Sequence, residues 1–138
     1  MINLTIVSIQ EKIFCDDVDF FVVDAEGGQI GVYPHHIDML SLLQPGLVRV
    51  YGNGDKQSMN SFFIAGGILE IFQNHAVILA DSIERSADLD TEKVLLEKKL
   101  VLSKKHKHNH NGNSDTIFYD EIQILLAKIR AVRYMSQQ

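Results

Sequence analysis

The chain has 138 residues, 46% hydrophobic and 22% charged, enough for a core that buries roughly two-thirds of the unfolded surface without staples, which excludes whole-chain disorder. A single cysteine, Cys15, excludes an intrachain disulfide, and no stretch approaches the roughly 20 apolar residues of a membrane span. The start "MINLTIVSIQEKIF" lacks the basic n-region and apolar run of a signal peptide, so a cytoplasmic protein is expected.

In chain order, residues 1 to 88 read as short strands separated by turn signals. Strands are predicted at 2–9, 18–24, 29–33, 46–51, 61–65, 68–72 and 75–80, seven in all, the pattern of a sandwich or barrel. "EGG", "QPG", "YGNGD", "AGG" and "QNH" lie between them and supply the backbone conformations of tight turns. Ile2, Leu4 and Ile6 alternate with Asn3 and Thr5, which predicts one buried and one wet face. Cys15 has no nearby histidine or basic pair in the sequence and reads as a half-buried, unreactive thiol.

The punctuation and the charge both change near Asp88. Residues 1 to 88 hold eight of the nine glycines and both prolines, with 4 Lys/Arg against 12 Asp/Glu, net −8. Residues 89 to 138 hold one glycine and no proline, with 9 basic against 6 acidic residues, net +3. This composition shift predicts two domains, 1–87 and 88–138. In the second, the hydrophobic period becomes about 3.6. Asp88 or Asp90 can cap a helix carrying Leu89, Leu96 and Leu100 on one face with Val94 and Val101 beside it. A second helix follows from about Thr116, with Phe118, Ile122, Leu125, Ile129 and Val132 at alternating steps of four and three. The predicted fold is β + α, an N-terminal β-sandwich followed by a C-terminal antiparallel two-helix hairpin.

Between those helices lies "KKHKHNHNGNSD", residues 104 to 115. Imidazoles at alternate positions can converge on Zn²⁺ or Ni²⁺, so His106, His108 and His110 are candidate ligands for a weak metal site, and a cytosolic metal-binding protein is the rival reading of the chain. The neighbouring residues are only Lys, Asn and Gly, which offer no second set of partners to fix the rings. A solvated bend is the simpler expectation. "GVYPHHID" (31–38) places paired histidines on a proline-constrained turn with no serine, cysteine or carboxylate spaced for a triad, which suits contact rather than catalysis. "AGG" (65–67) completes no dinucleotide or Walker pattern and reads as a tight strand connection. The basic residues Lys93, Lys98, Lys99, Lys104, Lys105, Lys107, Lys128, Arg130 and Arg133 suit an acidic protein surface; few aromatics interleave with them, so nucleic acid is not expected.

Two long segments, "EGGQIGVYPHHIDMLSLLQPGLVRV" (26–50) and "FFIAGGILEIFQNHAVILADSIERSADLD" (62–90), resemble the epsilon subunit of bacterial F-type ATP synthases, and the resemblance covers the chain in order. It implies a sandwich of two five-stranded sheets and a helical hairpin in a non-catalytic rotor subunit without a cofactor, peripheral at the cytoplasmic face of the inner membrane. It further implies that the sandwich grips the gamma shaft and meets the c-ring, coupling proton flow to ATP synthesis. The hairpin is implied to inhibit ATP hydrolysis in the alpha/beta catalytic ring. By position, Gln29 and His36 match the family's ring-contacting residues. Gln29 departs from the usual Glu, which predicts a weaker or rearranged ring contact. His35 replaces the usual Gly, and Asp38 stands where Pro is preferred, which predicts a looser turn. A nucleotide signature of some members, Ile or Leu followed by Asp, two residues, Arg and Ala, reads here Leu89, Asp90, Thr91, Glu92, Lys93, Val94. It makes Asp90 and Lys93 the candidate nucleotide contacts, with Lys lacking the planar fork that grips phosphate bidentately.

Overall fold

The computed structural model describes residues 1–52, 60–89, 91–107 and 115–137, with side chains except at 87, 104–107 and 115–118. The chain divides into two compact units, Met1–Ser86 and Ala87–Gln138.

Among its described residues the first unit holds eight strands: β1 (Ile2–Ser8), β2 (Lys12–Val18), β3 (Phe20–Ala25), β4 (Gly28–Val32), β5 (Met39–Tyr51), β6 (Asn60–Phe72), β7 (His75–Ala80) and β8 (Ile83–Arg85). They pair in the order β2-β1-β7-β6-β5-β3-β4, with β8 on β6. Among the described residues only the β1–β7 pair is parallel. β5 and β6, 13 residues each, serve two layers. Residues 39–43 of β5 pair with 67–71 of β6, which continues into β7, β1 and β2. Residues 45–50 of β5 pair with 60–65 of β6, flanked by β3 and β4 on one side and β8 on the other. Each layer therefore has five strands among the described residues, as the resemblance implies.

The bend between layers falls where the sequence reads as turns. Pro45 and Gly46 lie inside β5 rather than between strands, paired with Ala65 and Ile64. "AGG" likewise lies inside β6, with Gly66 at φ +100, a conformation that costs glycine nothing. A true two-residue hairpin joins β6 to β7, with φ +45 at Gln73 and +65 at Asn74, the type I′ geometry that matches strand twist. "YGNGD" runs largely outside the described residues.

β2 and β8 escape the periodicity reading. In β2 Val18 is buried in the core and Ile13 and Phe14 pack against it, while Lys12, Asp16 and Asp17 are exposed; charge on an edge strand blocks further pairing and hides the strand from pattern analysis. Inward residues of both layers form one core, led by Ile2, Leu4, Ile6, Phe21, Val23, Val48, Phe62, Ile64, Leu69, Ile71 and Ile78, each at most 3% exposed.

The second unit contains a short 3₁₀ turn (Ser86–Asp88), α1 (Thr91–Lys107) and α2 (Asp115–Met135). Its apolar contacts differ from the periodicity reading. Val94 and Leu125 are buried and Val101 partly so, whereas Leu96 and Leu100 remain 58% and 62% exposed. On α1, then, the valines turn inward and the leucines outward. Lys128 Nζ on α2 lies 3.6 Å from Glu97 Oε2 on α1, an ion pair across the two helices.

Candidate docking surfaces

The sequence predicts a wet outer face for the sandwich, and the first layer contradicts this. "MLSLL", "ILEIF" and "HAVILA" are apolar at both parities, so burying one set of side chains leaves a second apolar set outside. Leu42, Ile68 and Leu79 are direct cross-strand neighbours on β5, β6 and β7, 54%, 39% and 49% exposed. The adjacent row runs Leu40, Glu70, Val77 and Thr5. Phe72 extends the patch toward the hairpin end. Paired side chains stand about 5 Å apart, so these residues form a continuous apolar surface with one carboxylate in it. On a soluble domain such a surface marks a protein contact.

On the second layer, Phe20 stacks between Tyr33 and Tyr51, with ring centroids 4.8 and 4.4 Å apart and planes within 10°. Gln29 is exposed on β4, opposite Asp24 on β3. Its Nε2 donates to Asp24 Oδ1 at 3.0 Å. His36 is half-buried in the turn after β4, its Nδ1 2.9 Å from the Ile37 carbonyl oxygen. Gln29 sits near the β3–β4 hairpin end and His36 beyond the other end of β4. The three residues from Gln29 to Val32 alone account for roughly 10 Å at the strand rise, so the two lie apart and form no single cluster.

The turn carrying His36 is tied down, contrary to the loosening predicted from Asp38. The Asp38 carboxylate accepts the Gln73 backbone N–H at 2.9 Å, and His35 N–H donates to Asn74 Oδ1 at 2.9 Å. Asn74 Nδ2 donates in turn to the Met1 carbonyl at 2.9 Å. His35 itself has φ +63, a left-handed conformation that costs a Cβ-bearing residue about 1 kcal/mol. His35→Gly is therefore expected to stabilise the sandwich by roughly 0.5–1 kcal/mol, the steric relief being partly offset by the entropy of a freer unfolded chain. Urea unfolding followed by circular dichroism measures it.

Cys15 is exposed rather than half-buried. Its thiol pKa lies below the usual value because Thr5 Oγ1 donates to Sγ at 3.5 Å and Lys12 stands close by; the Thr5 contact has no signal in the local sequence.

On α1, Lys93 is exposed in the first turn, while Asp90 lies outside the described residues. His106 falls in the last turn of α1 by its backbone and not in a loop; His108 and His110 lie outside the described residues. No group of three metal-ligating side chains occurs among the described residues. No helix among them is long and apolar enough to cross a membrane.

A bent two-layer sandwich with an apolar outer face, followed by a helix pair with outward leucines, defines a subunit built to dock on other proteins. The family model of the ATP synthase delta/epsilon chain beta-sandwich domain matches residues 1–86. The chain is 32% identical to the ATP synthase epsilon chain of Delftia acidovorans over 141 aligned positions, covering 99% of this chain and 97% of that one. It is 39% identical to that of Nitrosospira multiformis over 97 positions, 70% of this chain and 68% of the relative. The chain belongs to the ATP synthase delta/epsilon family, whose epsilon members are non-catalytic subunits. The fold likewise matches a chain of the Euglena gracilis mitochondrial ATP synthase, with TM-score 0.79 and 20% identity over 95% of this chain and 81% of that one. A second match is to a chain of a Tetrahymena thermophila mitochondrial ATP synthase central stalk and c-ring structure, with TM-score 0.66 and 11% identity over 94% of both.

Proposed function

We propose that this chain is a central-stalk rotor subunit of a proton-translocating F-type ATP synthase. It works at the cytoplasmic face of a bacterial inner membrane and is held there only through the complex. The observation that carries this reading is the outer face of the first layer. An apolar surface centred on Leu42, Ile68 and Leu79 is costly in water and fits the gamma shaft, a protein partner present in every such rotor. The sandwich, acidic by composition, meets the c-ring at Gln29 and His36, coupling proton flow to ATP synthesis.

The hairpin is assigned to regulation. α1 leaves Leu95, Leu96, Leu100 and Leu102 at least half exposed, and among the described side chains its contact with α2 buries few. Apolar area outside a thin contact lets a second partner compete for the helices, because a few kcal/mol shifts such an equilibrium. In this reading the partner is the alpha/beta catalytic ring, and docking there inhibits ATP hydrolysis. Nucleotide contact at Asp90 and Lys93 is not part of the proposal, since a lysine gives phosphate a point charge and no fork.

The test is reconstitution. The full chain, and one ending after Asp88, are added to a catalytic complex depleted of its epsilon subunit, and hydrolysis and proton pumping are measured. The sandwich has its own core, so the shortened chain is expected to restore pumping while inhibiting hydrolysis less than the full chain. Failure of both forms to bind the complex would sink the assignment.

A further inference from the structure

We propose that Asp24 supplies the carboxylate with which this corner of the sandwich holds a cationic side chain of its partner, and that Gln29 is the residue that positions it. The inference rests on the reading above that this corner faces the ring. Asp24 and Gln29 are cross-strand neighbours, and the amide Nε2 donates to Oδ1 at 3.0 Å. The other oxygen, Oδ2, leans over Gly46 on β5. A Cβ at position 46 would collide with it and lie 3.1 Å from the carboxyl carbon. The carboxylate is thus held from two sides, by a donor on β4 and by the hollow that a glycine leaves on β5.

Among the described residues no lysine, arginine or histidine forms an ion pair with Asp24, and Glu26, at the tip of the same hairpin, is exposed and of like sign. The tip is fixed as well, because Glu26 N–H donates to the Leu42 carbonyl at 3.3 Å. A carboxylate with one geometry loses little freedom on binding. It makes a charge-assisted bond about twice as strong as a neutral one with an ammonium or guanidinium group. The neutral amide at position 29 is part of the device. An acid there would stand within hydrogen-bond distance of Asp24, and two carboxylates that close oppose each other's ionisation. The acidic contact has therefore moved across one strand pair, from β4 to β3, and the departure from Glu at position 29 is a rearrangement of the contact.

The experiment uses the catalytic sector carrying the full chain, bound to vesicles that contain the ring, at low and at high salt. Asp24→Asn is expected to bind about tenfold more weakly at low salt, the loss of one charged hydrogen bond, and to show a shallower salt dependence. Gln29→Ala is expected to weaken binding roughly threefold while keeping the salt dependence, as loss of orientation without loss of charge requires. Reversing the charge of a cation on the ring's polar loop should weaken binding of the unaltered chain and leave Asp24→Asn little changed. Affinity for an isolated gamma subunit, which uses the other layer, serves as the control that each variant folds. Asp24→Asn binding like the unaltered chain with the same salt dependence would overturn the proposal, as would tighter binding by Gln29→Glu, which would place the charged contact on residue 29 and not on Asp24. If the unaltered chain itself gives the sector no affinity for the ring, the reading beneath falls and the proposal with it.

Discussion

A chain carrying Ile68→Glu is expected to fold normally and yet fail to join the rotor. Ile68 lies in the middle of a row, between Leu42 and Leu79, with its side chain outward and 39% exposed. An outward substitution away from caps and core changes stability by about 0.5 kcal/mol or less, so the thermal midpoint should stay close to that of the unaltered chain. At a docked interface the same change puts a carboxylate into an apolar contact, where an unpaired charge must be desolvated. Central interface residues of this kind carry about 2–4 kcal/mol, so affinity for gamma should fall roughly 30- to 1000-fold. Size-exclusion chromatography of the chain with isolated gamma, together with a melting curve of the variant alone, separates the two effects. Glu84→Gln, on β8 of the other layer, is the comparison expected to leave gamma binding unchanged. Equal loss in both variants would move the gamma contact off the first layer.

The largest effect on folding is expected at Gly67. A Cβ there would collide with the backbone carbonyl oxygen of Leu79 and stand 2.9 Å from the Ala80 Cα. Neither atom belongs to a side chain that can swing aside. β6 and β7 are paired at this point, Gly67 opposite Ala80, so relief requires the strands to part where β6 bends from one layer to the other. Overpacking in a closed site costs about 1–3 kcal/mol, and Gly67→Ala should reach the upper end because the obstruction is main chain. With a urea dependence of about 1 kcal/mol/M for a domain this small, the unfolding midpoint should fall by roughly 3 M. Gly27→Ala is the control: a Cβ at position 27 has nothing within 4 Å, and its midpoint should move by no more than about 0.5 M. Equal midpoints for the two variants would show that β6 bends without needing the close approach.

Both expectations depend on features that the sequence carries only in disguise. "GILEIF" and "HAVILA" are visible as strands, yet their lack of alternation admits either two buried faces or one buried face and one docking face. Only the pairing of Leu42 with Ile68 and Leu79, on the side away from the core, decides between them. "AGG" and "QPG" show the same ambiguity. Glycine and proline mark a backbone that must bend, but a bend within a long strand and a turn between two short strands use the same residues. The sequence reading thus splits β6 into two short strands and finds only the second half of β5, missing residues 39–43.

The contact residues follow this pattern. Gln29 is legible as a departure from the family's Glu, and its strand is found. Its cross-strand partner Asp24, five residues earlier, has no local signal, because a hydrogen bond between β3 and β4 depends on register and on a hollow at Gly46 that a third strand provides. His35 is legible as a residue where glycine is usual; that it keeps the left-handed conformation, fastened by Asn74 from another hairpin, is a property of the fold. Thr5 lies ten residues from Cys15 and becomes its neighbour only through the pairing of β1 with β2.

What the sequence by itself determined is the class of the fold. The change from strand punctuation to helical periodicity near Asp88, the position of both helices and the family membership carried by residues 26–50 and 62–90 are local or cumulative signals, because period, turn chemistry and capping act over neighbouring residues. What only the tertiary structure decided is which face of each element is left outside. On the first layer it is the apolar set at Leu42, Ile68 and Leu79; on α1 it is the leucines and not the valines. Burial is a contest among all the apolar faces a chain can offer, and its outcome is set by which ones meet, not by how apolar each is alone.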